Sequence, residues 1–148
     1  MAPLFEGAPR FLDRLHAAGP YADDAELFEA ARRIAHEMPQ DEQIELVDAH
    51  PRLGAPPGTV SAMSYVEQRY DRDPPPTVDV ARTLAELNDA YEARFGFRYC
   101  AFVAGRPREE LLPEMAAALE ADRDTELHRA LDAVVDIAID RHANLNGR

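Results

Sequence analysis

Three groups of side chains have the types and spacing to do chemistry. The first is His50-Pro51, which closes the apolar stretch Ile44, Leu46 and Val47. Proline pushes the residue before it out of the α region, so the imidazole is held at a defined point near a helix C-terminus. The dipole at that end favours the protonated ring, and an imidazole held there can move protons near neutral pH. Taken alone, the same residues also describe an ordinary helix stop. The second group is Ser64-x-x-Glu67-Gln68. On a helix these three share one face, because residues three and four apart are neighbours. A hydroxyl, a carboxylate and an amide on one face suit a small polar molecule rich in N–H and C=O groups; an ordinary solvated face has the same composition. The third is Arg141, near the end of the last helical stretch, which reads as an arginine reaching solvent and complementing the dipole.

Other candidates read as structural. His16, His36, His128 and His142 occupy polar positions of helices and are expected at or near the surface, without catalytic work. Asp122, Arg123 and Glu126 read as a helix cap plus a surface ion pair. Cys100 lies in an apolar window with no adjacent base and reads as core.

The elements that must position these groups are helices broken by proline. Pro9–His16 has the spacing of a short amphipathic helix, which Gly19-Pro20 ends. Asp23 or Asp24 caps a helix over about 25–37, with Leu27, Phe28, Ala31, Ile34 and Ala35 on one face. A helix over 41–49 carries Ile44, Leu46 and Val47 inward, and Ser61 caps another over about 62–70. Thr77 caps a long helix to about Arg94, with Val80, Leu84, Leu87 and Tyr91 as its stripe. Phe95–Ala104 is the most apolar window, a buried strand or an extended segment. Two further helices span 109–120 and about 124–143, the second with Leu127, Leu131, Val134, Val135, Ala138 and Ile139 inward. The expectation is an all-α bundle of about seven helices in one domain over residues 1–148.

Composition narrows the function. Of 148 residues, 46% are apolar, enough for a core. Twenty-eight acidic against sixteen basic residues give a formal charge of −12, which argues against nucleic-acid and membrane partners. A small anionic substrate remains compatible, because a pocket can hold its own arginine. Every basic residue is Arg, a pattern that fits a GC-rich genome. The absence of Lys excludes a Schiff-base lysine and a Walker-type phosphate loop. One cysteine excludes an internal disulfide, and no C-x-x-C or H-E-x-x-H pair offers a zinc site. The start of the sequence does not read as a signal peptide, and no apolar run nears the roughly 18 residues needed to span a bilayer. A cytoplasmic protein is expected.

In order along the chain, Ala49-His50-Pro51-Arg52-Leu53-Gly54, Ser64-x-x-Glu67-Gln68 and Leu87-Asn88-x-x-Tyr91-x-x-x-Phe95-Gly96-Phe97 are followed by the Gly105 turn, Asp122-Arg123-x-x-Glu126 and Ile137-Ala138-x-x-Arg141. Together, from about Phe5 to Leu145, they resemble the 2-oxo-4-hydroxy-4-carboxy-5-ureidoimidazoline (OHCU) decarboxylases of the urate-to-allantoin route. The resemblance implies an all-α fold, a homodimer, no metal or organic cofactor, and stereoselective decarboxylation of OHCU to (S)-allantoin. It implies that His50 and Glu67 match the catalytic pair. Pro51, Ser64, Gln68 and Arg141 match substrate-binding positions, and the backbone after Phe97 matches the pocket wall. Three departures stand out: Arg98 where the family commonly has proline, Arg69 where it often has alanine, and a short stretch between Gly54 and Ser64. They leave open a related helical enzyme acting on another ureido or hydantoin-like acid. The acidic charge and the pairs Arg32-Arg33 and Arg106/Arg108 leave open a non-catalytic helical ligand-binding or interaction module.

Overall fold

A computed structural model describes residues 4–5, 7–53, 77–103 and 106–146. Among these residues there are six helices and no strand: α1 (Pro9–Ala18), α2 (Asp24–Glu37), α3 (Gln40–Asp48), α4 (Val78–Phe95), α5 (Arg108–Ala118) and α6 (Arg123–Asn146). The all-α expectation holds. The helix expected over 62–70, with its Ser61 cap, lies outside the described residues.

Local chemistry fixes the ends. Pro9 starts α1 at a position whose N–H has no helical acceptor. Asp23, rather than Asp24, caps α2: its Oδ1 accepts from Glu26 N at 2.8 Å, while Glu26 Oε2 accepts from Ala22 N at 2.8 Å. Thr77 Oγ1 caps α4 through Val80 N at 3.2 Å. That helix stops at Gly96, whose φ of +81° is the left-handed conformation glycine adopts without strain. Asp122 caps α6, its Oδ2 accepting from Thr125 N at 2.9 Å and Thr125 Oγ1 at 2.6 Å.

The chain forms two compact units, residues 1–50 with 127–148, and residues 51–126. In the first, α1 packs on α2 and α3, and Phe5, Phe11, Leu15, Leu46, Leu131 and Val134 are fully buried. The Phe5 and Phe11 rings meet edge to face at 5.0 Å. On α3, Glu42 and Gln43 are buried beside Leu46 and Val47, whereas Ile44 is only half-buried. The reason is that both polar groups have partners. Arg14 grips Glu42 through two bonds of 2.5 and 2.9 Å, and Gln43 Nε2 donates to the terminal α2 carbonyls of Ala35 and His36 at 3.0 and 3.2 Å. On α6, Ile137 is buried and Ile139 exposed, so the inward stripe turns away from Ile139.

In the second unit α4 packs on α5. The buried face of α4 is Leu84, Asn88, Tyr91 and Phe95, with Leu87 half-buried at its edge. Tyr91 is enclosed by the rings of Phe95, Phe97 and Tyr99 at 4.6, 5.7 and 5.1 Å. The apolar window after α4 is irregular in its described part and buries Phe97, Tyr99, Cys100 and Val103. Arg106 closes it by donating to the carbonyls of Phe102 and Val103, both at 2.9 Å.

Candidate active site

His50 sits two residues past the end of α3. Its N–H donates to Val47 O at 3.2 Å, and its side chain is buried, with 5% exposure. The chain leaves it through Pro51, which is half-buried. The proline at the helix end thus coincides with a buried imidazole.

Arg141 is the largest correction to the sequence reading. It is 2% exposed, one turn inside α6 rather than at a fraying end. Its Nη1 donates to Leu4 O at a long 3.5 Å. A guanidinium does not leave water cheaply, so a helix-end snorkel does not describe it. A buried planar fork of donors suits a carboxylate or a ureido carbonyl. His50 and Arg141 belong to the same compact unit. Ser64, Glu67 and Gln68 lie outside the described residues.

The segment after Pro51 is tied to α4. Leu53 is buried and its carbonyl accepts from Asn88 Nδ2 at 3.1 Å. Arg52 donates from Nε to Glu92 at 2.6 Å and from Nη2 to Asp89 at 2.7 Å. Hydrogen bonds to Glu92 and then Asp89 hold the Arg52 guanidinium even more firmly protonated than usual. The sequence reading gave Asn88 and Arg52 no role. The signal was present for Asn88, an amide inside the stripe that Leu84, Tyr91 and Phe95 make apolar.

The Asp122/Arg123/Glu126 junction is half as expected. Asp122 is the cap, but Glu126 is buried and accepts the Tyr91 hydroxyl at 2.8 Å. Arg123 is half-buried, donates to Phe95 O at 2.9 Å and lies over the Phe97 ring, so it reaches the end of α4. His16 and His128 are exposed and His36 and His142 half-buried, as expected. His36 and Arg32 both bond Asp132, each at 2.8 Å. They border an open groove of about 480 Å³ lined by Phe28, Glu29, Arg32, Arg33, His36 and Ile139, which includes neither His50 nor Arg141. Among the described residues, no group of three His, Cys, Asp or Glu side chains could hold a metal ion, and no helix is long and apolar enough to cross a membrane.

Comparison with known proteins agrees with this architecture. A relative from Haloferax volcanii, a 2-oxo-4-hydroxy-4-carboxy-5-ureidoimidazoline decarboxylase, is 27% identical over 91% of this chain and 80% of its own. A uric acid degradation bifunctional protein from Bacillus sp. (strain TB-90) is 27% identical over 93% of this chain, which spans only 27% of that protein. In fold, the chain matches the crystal structure of an OHCU decarboxylase determined in the presence of (S)-allantoin, with a TM-score of 0.78 at 23% identity, covering 99% of this chain and 96% of the other. The family model for OHCU decarboxylase matches residues 1–143, and the chain belongs to that family.

Proposed function

We propose that this chain catalyses the cofactor-independent, stereoselective decarboxylation of OHCU to (S)-allantoin. One observation carries the reading. An imidazole and a guanidinium, the groups this reaction most needs, are both held inside a member of this family, with 5% and 2% exposure.

In OHCU the departing carboxylate is on a carbon that also bears a hydroxyl, beside a C=N bond. As CO₂ leaves, its electron pair flows into that bond, so the substrate is its own electron sink and needs no metal or organic cofactor. The protein must orient the carboxylate, take up the hydroxyl proton, and return a proton to one face of the neighbouring carbon. His50 is the general acid/base, and Glu67 orients or assists it. Arg141, with Ser64, Gln68 and Pro51, holds the ureido and imidazoline groups. A buried site also favours loss of a charged carboxylate as neutral CO₂. Residues 1–148 act as one catalytic domain, which assembles as a homodimer in the cytoplasm without nucleic-acid or membrane partners.

The test is circular dichroism of the allantoin formed when urate is oxidised by urate oxidase and hydroxyisourate hydrolase, with and without this protein. Rapid appearance of one enantiomer, lost in His50→Ala and in Glu67→Gln with helical content intact, is the expected result. Slow racemic product at high protein concentration would assign the scaffold to another acid or to no chemistry, and wild-type activity in either variant would overturn the residue roles.

A further inference from the structure

We infer that Gly7 is a positioning residue for His50, acting through Ala49; the inference rests on His50 being the acid/base proposed above. Every group it uses lies in the compact unit of residues 1–50 and 127–148. Gly7 has φ +72°, and a Cβ built there stands 3.1 Å from Ala49 Cβ, 3.7 Å from its Cα and 3.9 Å from its carbonyl oxygen. The first of these is closer than carbon atoms ordinarily pack. Glycine is thus required twice, for the torsion and for the space. Gly96 is the contrast: its φ is also positive, but a Cβ there meets nothing within 4 Å. The space that Gly7 leaves is taken by the residue whose peptide bond leads into His50.

The chain on both sides of Gly7 is fixed. Phe5 is fully buried with its ring on Phe11 at 5.0 Å, and Ala8 is buried with its carbonyl accepting from Leu12 N at 3.1 Å. Arg10 then ties the start of α1 to α3, its Nε bonding Glu45 and its Nη1 bonding Asp41, each at 2.8 Å. Ala49 is the looser partner, because it lies past the last residue of α3 and is held there through its N–H on Glu45 O at 3.1 Å. Bulk added at Gly7 therefore pushes Ala49, and with it the backbone that carries the imidazole. The same segment reaches Arg141, since the Leu4 carbonyl accepts from its Nη1 at 3.5 Å. Leu4 and Gly7 are three residues apart, at most about 11 Å of chain. One short, anchored stretch thus touches both Arg141 and the residue before His50.

The experiment compares wild type, Gly7→Ala, Ala49→Gly and the double variant in steady-state turnover of OHCU and in the NMR signals of the histidine rings. Ala49→Gly removes the Cβ that the new methyl meets, and leaves the torsion at position 7 as it is. A displacement of 1 Å at the reacting group costs on the order of a hundredfold, so the few tenths of an ångström needed here lower kcat by about threefold to tenfold in Gly7→Ala. The His50 ring signals move in that variant, while those of His36, His128 and His142 stay. In the double variant kcat returns to within about twofold of Ala49→Gly and the His50 signals return with it. The urea midpoint stays lowered, because the left-handed torsion still carries a side chain. A Gly7→Ala kcat within about twofold of wild type, a loss that Ala49→Gly does not restore, or a loss with unmoved His50 signals each overturns the inference. If Gly7→Ala does not fold, Gly7→Asn reads the same quantities, because asparagine tolerates positive φ and brings the same Cβ to Ala49. If wild type fails to turn over OHCU, it is the decarboxylase reading that falls. The His50 signals then decide alone: moved in the single variant and restored in the double one, they support the positioning role, and any other pattern overturns it.

Discussion

Polar side chains placed in the interior govern this protein at the scale of single residues. Arg141, Glu42, Gln43, Asn88, Glu126 and His50 are all buried, and keeping polar groups from water is tolerated only where it is compensated or useful. The Tyr91–Glu126 bond is the simplest to probe. Tyr91→Phe keeps the ring packing and removes the hydroxyl donated at 2.8 Å, leaving a buried carboxyl oxygen short of a partner. It should destabilise the fold by about 1–3 kcal/mol, read as a lower urea midpoint at unchanged slope. Arg141 separates charge from shape. Arg141→Lys keeps the positive charge but loses the planar pair of donors, so KM for OHCU should rise by roughly tenfold or more, the scale of one charge-assisted hydrogen bond. Steady-state kinetics check this, and an unchanged KM would remove Arg141 from the proposed binding residues.

Among the elements, the caps and stops set where side chains fall, and two of them make independent predictions. Asp23 and Glu26 close the start of α2, the first accepting from Glu26 N and the second from Ala22 N. Asp23→Ala should therefore cost about 1 kcal/mol, measured by chemical denaturation. At the other kind of end, Gly96 holds φ +81°, and a Cβ built there meets nothing within 4 Å. Gly96→Ala should therefore carry only the backbone penalty of the left-handed region, about 1–2 kcal/mol. A larger loss would mean that the turn into Phe97 is constrained beyond its own torsions.

For the whole molecule the governing quantity is charge. Many of the acidic groups are matched by arginine: Arg10 bonds Asp41 and Glu45, Arg14 bonds Glu42, and Arg32 bonds Asp132 and Asp136. Asp41 and Glu42 lie below their ordinary values of 3.8 and 4.5, chiefly through hydrogen bonds from Arg10 and Arg14. Burial works against Asp132, yet bonds from His36 and Arg32 still leave it below 3.8. Asp122 is lowered by the Thr125 hydroxyl and N–H that it caps. Groups with lowered folded values bind protons more weakly in the native state than in the unfolded one. Their stabilisation is thus complete above the ordinary values and shrinks as pH falls beneath them, until it is gone below the lowered ones. The urea midpoint should hold steady from pH 7 to about 5 and fall steeply below pH 4. A midpoint that rises on acidification would mean that relief of the −12 surface charge outweighs these bonds.

By itself the sequence determined the helical class and most of the helix ends. Proline, glycine and capping side chains act on neighbours within a turn, and such effects need no knowledge of the rest of the chain. It also marked the 122–126 junction as a helix cap and placed Cys100 in the core. Tertiary structure alone decided that Arg141 is interior, that Glu126 faces Tyr91 instead of solvent, and that Glu42 and Gln43 are buried while Ile44 is not. Each of those outcomes depends on a partner between 7 and 137 positions away in the chain, and periodicity carries no information about such a partner. Asn88 shows the boundary between the two. Its place in the α4 stripe was legible, but its partner was settled only when folding brought the Leu53 carbonyl to its amide.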